Sequence, residues 1–260
     1  MNIVDLSPEY LDTYLACLED YSDEIKEGAA RKRRWYEAMK DKGLRVKLAL
    51  VDGKPSGMIH YVPIEHAFAE GRDLYFVHCV WVHGHKNKGV GDHRKRGIGT
   101  ALVKAAEEDA RALGAKGLAV WGVPFPFFIP AAWFKKRGYK KVDRNGILVL
   151  LWKPFTDDAA APRWIRMKEK PSGKLKGRVA VDAFVHGWCP AQNMTFERAK
   201  RAAAEFGDAV EFRPVETLDR AVYLSRGIAD GVFINGKEVR SGPPPSYEKI
   251  RKKIAKKIKK

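Results

Sequence analysis

The chain has 260 residues, 45% of them hydrophobic, and 49 Lys and Arg against 32 Asp and Glu, for a net charge of +17. That length accommodates two domains, each able to bury its own core. No apolar run is long enough to span a bilayer, no signal peptide opens the chain, and three scattered cysteines (Cys17, Cys79, Cys189) make no disulfide framework, so a cytoplasmic protein is expected.

Residues 8–20 and 22–40 have helical patterns that open on Ser7 and Ser22, both suitable N-caps. Arg45 to Val51 and Ser56 to Val62 read as strands joined by the hairpin signal Asp52-Gly53-Lys54-Pro55. Leu74 to Val82 is an apolar run expected to form a buried strand. Residues 101–113 follow with Leu102, Val103, Ala106, Ala110 and Leu113 at helical spacing. Leu118 to Trp121 is a short strand, and Pro124 to Pro130 is a loop carrying Phe125, Phe127 and Phe128. Then come Ala131 to Arg137, Gly138-Tyr139, and a closing strand from Ile147 to Trp152. No internal repeat is visible.

Between the apolar strand and the helix lies Arg94-Lys95-Arg96-Gly97-Ile98-Gly99-Thr100-Ala101. A strand, a glycine-containing turn and a helix start form an anion cradle. The first helical N–H groups lack internal partners, and the helix dipole is positive there. The pattern is neither Gly-x-x-x-x-Gly-Lys-Ser/Thr nor Gly-x-Gly-x-x-Gly. A solvated basic loop is the plain alternative.

Arg94-x-x-Gly97-x-Gly99 resembles the Arg/Gln-x-x-Gly-x-Gly/Ala signature of the GNAT N-acetyltransferases. Trp133-Phe134-Lys135-Lys136-Arg137-Gly138-Tyr139 is similar to that family's Phe-Tyr-x-Lys-x-Gly-Phe ending, and the elements fall in the family's order over about residues 1–155. The resemblance implies an α/β (α+β) GNAT fold with a mixed, mostly antiparallel sheet. It implies acetyl-CoA as co-substrate, no metal, and acetyl transfer to an amine. Residues Arg94, Lys95, Arg96, Gly97, Ile98, Gly99 and Thr100 would hold the pyrophosphate, with Ala101 opening the helix. Cys79, Val80, Trp81 and Val82 would line the pantetheine arm, with the main chain of Val80 and Val82 in contact and an oxyanion donor near Val80.

The acid and base are less plain. Relatives use a tyrosine on the helix after the fifth strand as the acid to the leaving thiolate. Phe134 stands at that position among the cofactor contacts and cannot donate a proton, which leaves Tyr139 as a substitute. For the base, His78 comes first because imidazole titrates near neutrality. Strand alternation would put His78 with Val80 on one face and Cys79 with Trp81 on the other. Glu65 and His66 come second. His83, Gly84 and His85 suggest a metal by composition, but no third ligand follows at usual spacing. The three phenylalanines form either an acceptor pocket or a domain interface. A small-molecule amine fits such a wall better than a lysine-rich tail.

Residues 156–176 read as a linker, although Trp164-Ile165-Arg166-Met167 could pack on the first domain. From 177 to 260 the order is β-α-β-α-β-β-α, with Trp188-Cys189-Pro190 at the first helix start. This resembles a thioredoxin-like fold, and a GNAT domain carrying it resembles the YoaP-type acetyltransferases. Cys189-Pro190-Ala191-Gln192 lacks the second cysteine of Cys-x-x-Cys, and Asp230-Gly231 stands where thioredoxins place a cis-proline. Dithiol exchange is therefore not expected. Cys189 is either packed at a turn or a thiol activated by the helix N-terminus, and is carried among the catalytic candidates. The alternative function is a CoA-binding scaffold or sensor with weak or no transferase activity and a Cys189 thiol or metal site.

Residues 1–156 hold 26 Lys and Arg against 19 Asp and Glu, and the remainder 23 against 13, with eight of those basic residues in Lys249 to Lys260. Ile250, Ile254 and Ile258 give this tail one apolar helical face, which favours packing on its own domain. Nucleic acid is not expected without interleaved aromatics, nor is a membrane partner. A homodimer is allowed.

Overall fold

The computed structural model describes every residue except 127, 128, 172, 174, 240–243 and 260. Its first strand had no signal in the sequence. β1 (Asn2–Asp5) pairs antiparallel with β2 (Arg45–Val51), from Asn2↔Leu50 to Asp5↔Lys47. Four residues are too few to show a period. The segment read as one helix over 8–20 breaks into a 3₁₀ turn at Pro8–Tyr10 and α1 (Leu11–Leu15). Cys17 and Leu18 follow in the left-handed region, at φ 51° and 64°, and stop it. Ser7 makes no side-chain cap, whereas Ser22 Oγ accepts the Ile25 N–H at 3.4 Å as α2 (Asp23–Met39) begins.

The remaining elements before the join are β3 (Lys54–Pro63), β4 (Ala69–Glu70), β5 (Leu74–Val82), α3 (Ile98–Ala112), β6 (Gly117–Gly122), α4 (Ala131–Lys135), β7 (Lys140–Asn145), β8 (Leu148–Pro154) and β9 (Arg163–Trp164). Seven strands form one sheet in the order β1-β2-β3-β5-β6-β8-β7. Every neighbouring pair is antiparallel except β5 and β6. This is the mixed, mostly antiparallel α/β arrangement expected. The apolar stripe of α3 (Ile98, Leu102, Val103, Ala106, Ala110) packs on one face of the sheet, against Ile59, Tyr61, Val77, Val120 and Leu151.

Two polar ties fix the azimuth of α3. Asp109 accepts from Arg45 at 2.9 Å and from the Tyr61 hydroxyl at 2.6 Å, and Glu107 accepts from the Tyr139 hydroxyl at 3.0 Å and Lys153 Nζ at 2.7 Å.

The chain divides into two compact units, Met1–Tyr21 with Tyr36–Ile165 and Ser22–Trp35 with Arg166–Lys260. The first therefore continues past residue 155. β9 pairs with β4, the Trp164 N–H donates to Asp143 at 2.8 Å, and Trp164 and Ile165 are buried. Residues 22–35, expected with the first domain, count with the second.

The second unit contains β10 (Val179–Val185), α5 (Pro190–Ala204), β11 (Val210–Glu216), α6 (Arg220–Arg226), β12 (Gly231–Ile234), β13 (Lys237–Glu238) and α7 (Tyr247–Ile258). Its sheet order is β11-β10-β12-β13, with only β10 and β11 parallel. Ile250 and Ile254 of α7 are fully buried among Phe196, Ala199 and Ala202, so the apolar face of the tail packs on its own unit. The first part of α2 binds α5 through Arg201 to Glu27 at 2.7 Å and Arg31 to Glu197 at 2.7 Å. The helices touch closely at Gly28, where a Cβ would sit 2.6 Å from the Pro190 carbonyl oxygen.

Asp230 is half-buried behind the turn that leads into α5. It accepts the His186 N–H and the Trp188 indole N–H, both at 2.9 Å. Burial pushes its pKa up to about 6, against the pull of those two bonds. Burial, with the Arg220 charge, pushes His186 down to about 3. Unfolded, the two groups titrate near 3.9 and 6.5. Between about pH 4 and pH 6 the folded state thus holds its proton on Asp230 where the unfolded chain holds one on His186.

Asp230 alone makes stability fall as pH rises through that window. His186 alone makes it rise, each by about 1.4 kcal/mol per pH unit. Urea unfolding across the window should find the slopes cancelling in the wild type. Relative to it, stability should rise with pH in Asp230→Asn and fall in His186→Gln. Parallel pH profiles for all three proteins would contradict this account.

Candidate active site

Strands β5 and β6 pair in parallel from Leu74↔Gly117 to Val77↔Val120 and then separate, although β5 runs on to Val82 and β6 to Gly122. On its other side β5 stays paired with β3 as far as Gly57↔Val82. The His83 N–H donates to the Ser56 carbonyl at 3.0 Å. Antiparallel alternation then turns the main-chain groups of Trp81 and Cys79 toward β3, and those of Val82 and Val80 toward the gap. Among the described residues, no strand pairs with the backbone of Val80 and Val82 on the side of the opening. Trp81 differs, because its N–H and C=O belong to the ladder with Met58.

The register shifts between His60 and Tyr61, where His60 pairs with Cys79 and Tyr61 with Val77, leaving His78 as the extra residue of a β-bulge. The bulge overturns the expected alternation. Val80 packs on the α3 face with Val77. His78 joins Phe76 and Phe68, at ring distances of 5.3 and 4.7 Å, and lies 6.0 Å from His60. Its imidazole is fully buried. The Trp121 indole N–H reaches across from the separated end of β6 to the His78 carbonyl at 2.7 Å. No sequence signal marked Trp121 for this.

The gap leads along β5 toward the turn before α3. The connecting loop is closed by the His93 N–H on the His83 carbonyl at 2.9 Å and by a bridge between Gly84 and Asp92. Asp92 clamps Arg94, accepting its backbone N–H at 3.0 Å, Nε at 2.9 Å and Nη2 at 2.7 Å. Hydrogen bonding to Arg94 holds the Asp92 carboxyl well below the usual range. Lys95 and Arg96 are exposed.

Gly97 is the N-cap of α3, at φ 81°, and no side chain caps the helix. The N–H groups of Ile98, Gly99 and Thr100 thus have no acceptor within the helix, whereas Ala101 already donates to the Gly97 carbonyl at 3.0 Å. Ala101 is therefore the first amide the cradle cannot offer. A Cβ on Gly97 would enter open space.

Other candidates fall elsewhere. Phe134 is buried in the core, and Trp133 is the neighbour of the turn, 3.4 Å from where a Cβ on Gly99 would sit. Tyr139 is buried with its hydroxyl on Glu107, and burial followed by the Glu107 charge raises its pKa far above the ordinary value. Glu65 is exposed on the 3₁₀ turn that follows the Pro63↔Tyr75 end of β3. Val80 lies five positions along β5 from Tyr75, or about 16 Å. Cys189 is the half-buried N-cap of α5 in the second unit.

His83 and His85 pack around Tyr21, the first hydrogen-bonding Gly91 O and the second 3.4 Å from Glu19. Among the described residues no group of three His, Cys, Asp or Glu could hold a metal. Phe127 and Phe128 of the aromatic loop lie outside the described residues.

Residues 6–139 match the model of the acetyltransferase (GNAT) family. The chain belongs to that family. GNAT membership makes it an N-acetyltransferase, and the matched span holds β5, the turn and α3. Among solved structures, it resembles a ribosomal-protein-alanine N-acetyltransferase from Brucella melitensis at 18% identity, with 60% of this chain and 100% of that one covered and a TM-score of 0.45. It also resembles the PaiA N-acetyltransferase of Thermoplasma acidophilum in complex with coenzyme A, at 16% identity, 60% and 100% coverage and a TM-score of 0.44. An aminoglycoside 6'-acetyltransferase type Ii matches at 20% identity, 59% and 97% coverage and a TM-score of 0.43. No curated protein matches.

The two signature glycines should differ under substitution. Gly97→Ala forces a side chain into the left-handed region, at about 1–2 kcal/mol, whereas a methyl group on Gly99 meets Trp133 at ordinary contact distance. Thermal melts should show Gly97→Ala clearly lowered and Gly99→Ala near wild type. The reverse order would place the strain at the wrong glycine.

Proposed function

We propose that the GNAT unit transfers the acetyl group of acetyl-CoA to the amine of a small molecule. One observation carries the reading: the main-chain groups of Val80 and Val82 face a gap that runs toward an uncapped helix N-terminus. When bound, acetyl-CoA supplies a thioester carbonyl for the amine and a thiol as the leaving group. The residues present suit it. Val80 and Val82 offer strand-like hydrogen bonds to the amide-containing arm. The amides of Ile98, Gly99 and Thr100 meet the pyrophosphate with the helix dipole behind them. Lys95 and Arg96 add positive field, and the Val80 N–H is placed to donate to a carbonyl oxygen in the gap.

For the base, this reading keeps His78, which shares the strand lining the gap. Glu65 lies beyond the far end of β5 and Tyr139 is held by Glu107. Because the imidazole is fully buried among Phe68, Phe76 and His60, these side chains must move for a proton to pass. With no tyrosine at position 134, the thiol leaves as thiolate or takes its proton from solvent. The exposed Phe125 beside the end of β6 supports an apolar small-amine acceptor.

The strand order and single parallel pair of the second unit support a thioredoxin-like reading, with Cys189 at the first helix start and Asp230 before β12. A cytoplasmic setting belongs to the same reading. No described helix is long and apolar enough to cross a membrane.

Release of free thiol from acetyl-CoA in the presence of a small-amine panel tests the transfer. The wild type should release it with at least one amine. His78→Gln should cut turnover about a hundredfold or more, in the range of lost general-base catalysis, while CoA still binds. CoA binding without turnover on any amine, or acetylation of lysine-rich peptides alone, would overturn the small-amine reading.

A further inference from the structure

We infer that Arg137, outside the signature loop, provides the guanidinium that meets a phosphate of the bound donor; this rests on the acetyl-CoA reading of the cradle. The signature arginine is not free to do so. Arg94 is held by both carboxylate oxygens of Asp92, and its side chain lies over Gly84, where a Cβ would come within 2.5 Å of Nε. Its charge is neutralised, and its role is to hold the loop shut.

Arg137 has the opposite surroundings. Nη2 and Nε donate to the Thr100 hydroxyl at 2.7 and 3.2 Å, and Nη1 donates to the Trp133 carbonyl at 2.8 Å. The guanidinium lies 3.5 Å over the Trp133 ring. All these partners are neutral, and among the described residues no carboxylate pairs with it. One N–H on each terminal nitrogen is left over.

Thr100 is in the first turn of α3, so a half-buried cation sits against the positive end of a helix. Helix dipole and desolvation both oppose that placement unless an anion arrives. Among the described residues Lys95 and Arg96 also meet no carboxylate, but they stand in solvent. Arg137 is oriented beforehand by Trp133 and Thr100, so little rotamer entropy is lost when its planar fork engages phosphate.

The test uses the full chain with two donors, acetyl-CoA and S-acetylpantetheine, which lacks every phosphate. Arg137→Gln keeps a hydrogen bond to Thr100 and loses the charge. It should raise KM for acetyl-CoA roughly ten- to a hundredfold, the worth of a charged hydrogen bond. It should leave kcat unchanged, and kcat/KM for S-acetylpantetheine unchanged. Arg137→Lys should recover part of the loss. Equal damage with both donors would make Arg137 a mere prop for α3, and no change with either would remove it from the site; each overturns the inference. Failure of the wild type to bind CoA at all would instead overturn the acetyl-CoA reading.

Discussion

The site depends on the point where β5 and β6 stop pairing. A parallel pair that closed along its whole length would consume the backbone of Val80 and Val82 in its own ladder. Pairing ends at Val77↔Val120, and the two strands run on apart. The bulge at His78 and the Trp121 indole on the His78 carbonyl hold this separation in place. Unsatisfied main-chain groups at a strand edge usually invite another strand. Here they face a gap sized by the sheet and closed below by the paired residues. An extended, amide-bearing arm is the kind of ligand such an edge selects.

The second half of the site follows from the first. β5 delivers the chain to a loop whose ends are tied by His83, Gly84, Asp92 and His93, and this loop hands over to α3 at Gly97. α3 is held by its apolar stripe and by Asp109 and Glu107, so the direction of its N-terminus is set by packing remote from the turn at Gly97. The burial of Tyr139 and Phe134 belongs to this support. These aromatic residues stabilise the helix that aims the amides, and neither reaches the gap.

Much of this was legible in the sequence. The apolar run Leu74 to Val82, the Gly97-x-Gly99 turn and the stripe beginning at Leu102 pointed to the strand, turn and helix around Gly97, because each leaves a local pattern. The hairpin at Asp52-Gly53, the terminal helix and the strands of the second unit were legible for the same reason. Other features have no local signature. A bulge is one residue of register between strands distant in sequence, so the face of His78 could not be read from alternation. β1 has too few residues to show a period. The grouping of residues 22–35 with the second unit depends on Gly28 and on ion pairs to α5, all of them long-range. The partners of Arg94 and Arg137 were likewise invisible, since charge alone does not tell a clamped guanidinium from an open one.

The most direct test of the central claim is residue-resolved amide hydrogen exchange with and without CoA. Ligand binding should slow exchange at Val80, Val82, Ile98, Gly99 and Thr100, and leave Trp81 and Ala101, whose amides are already bonded, unchanged. Saturating CoA binding with no added protection at those five amides, or with protection centred elsewhere in the chain, would contradict the account.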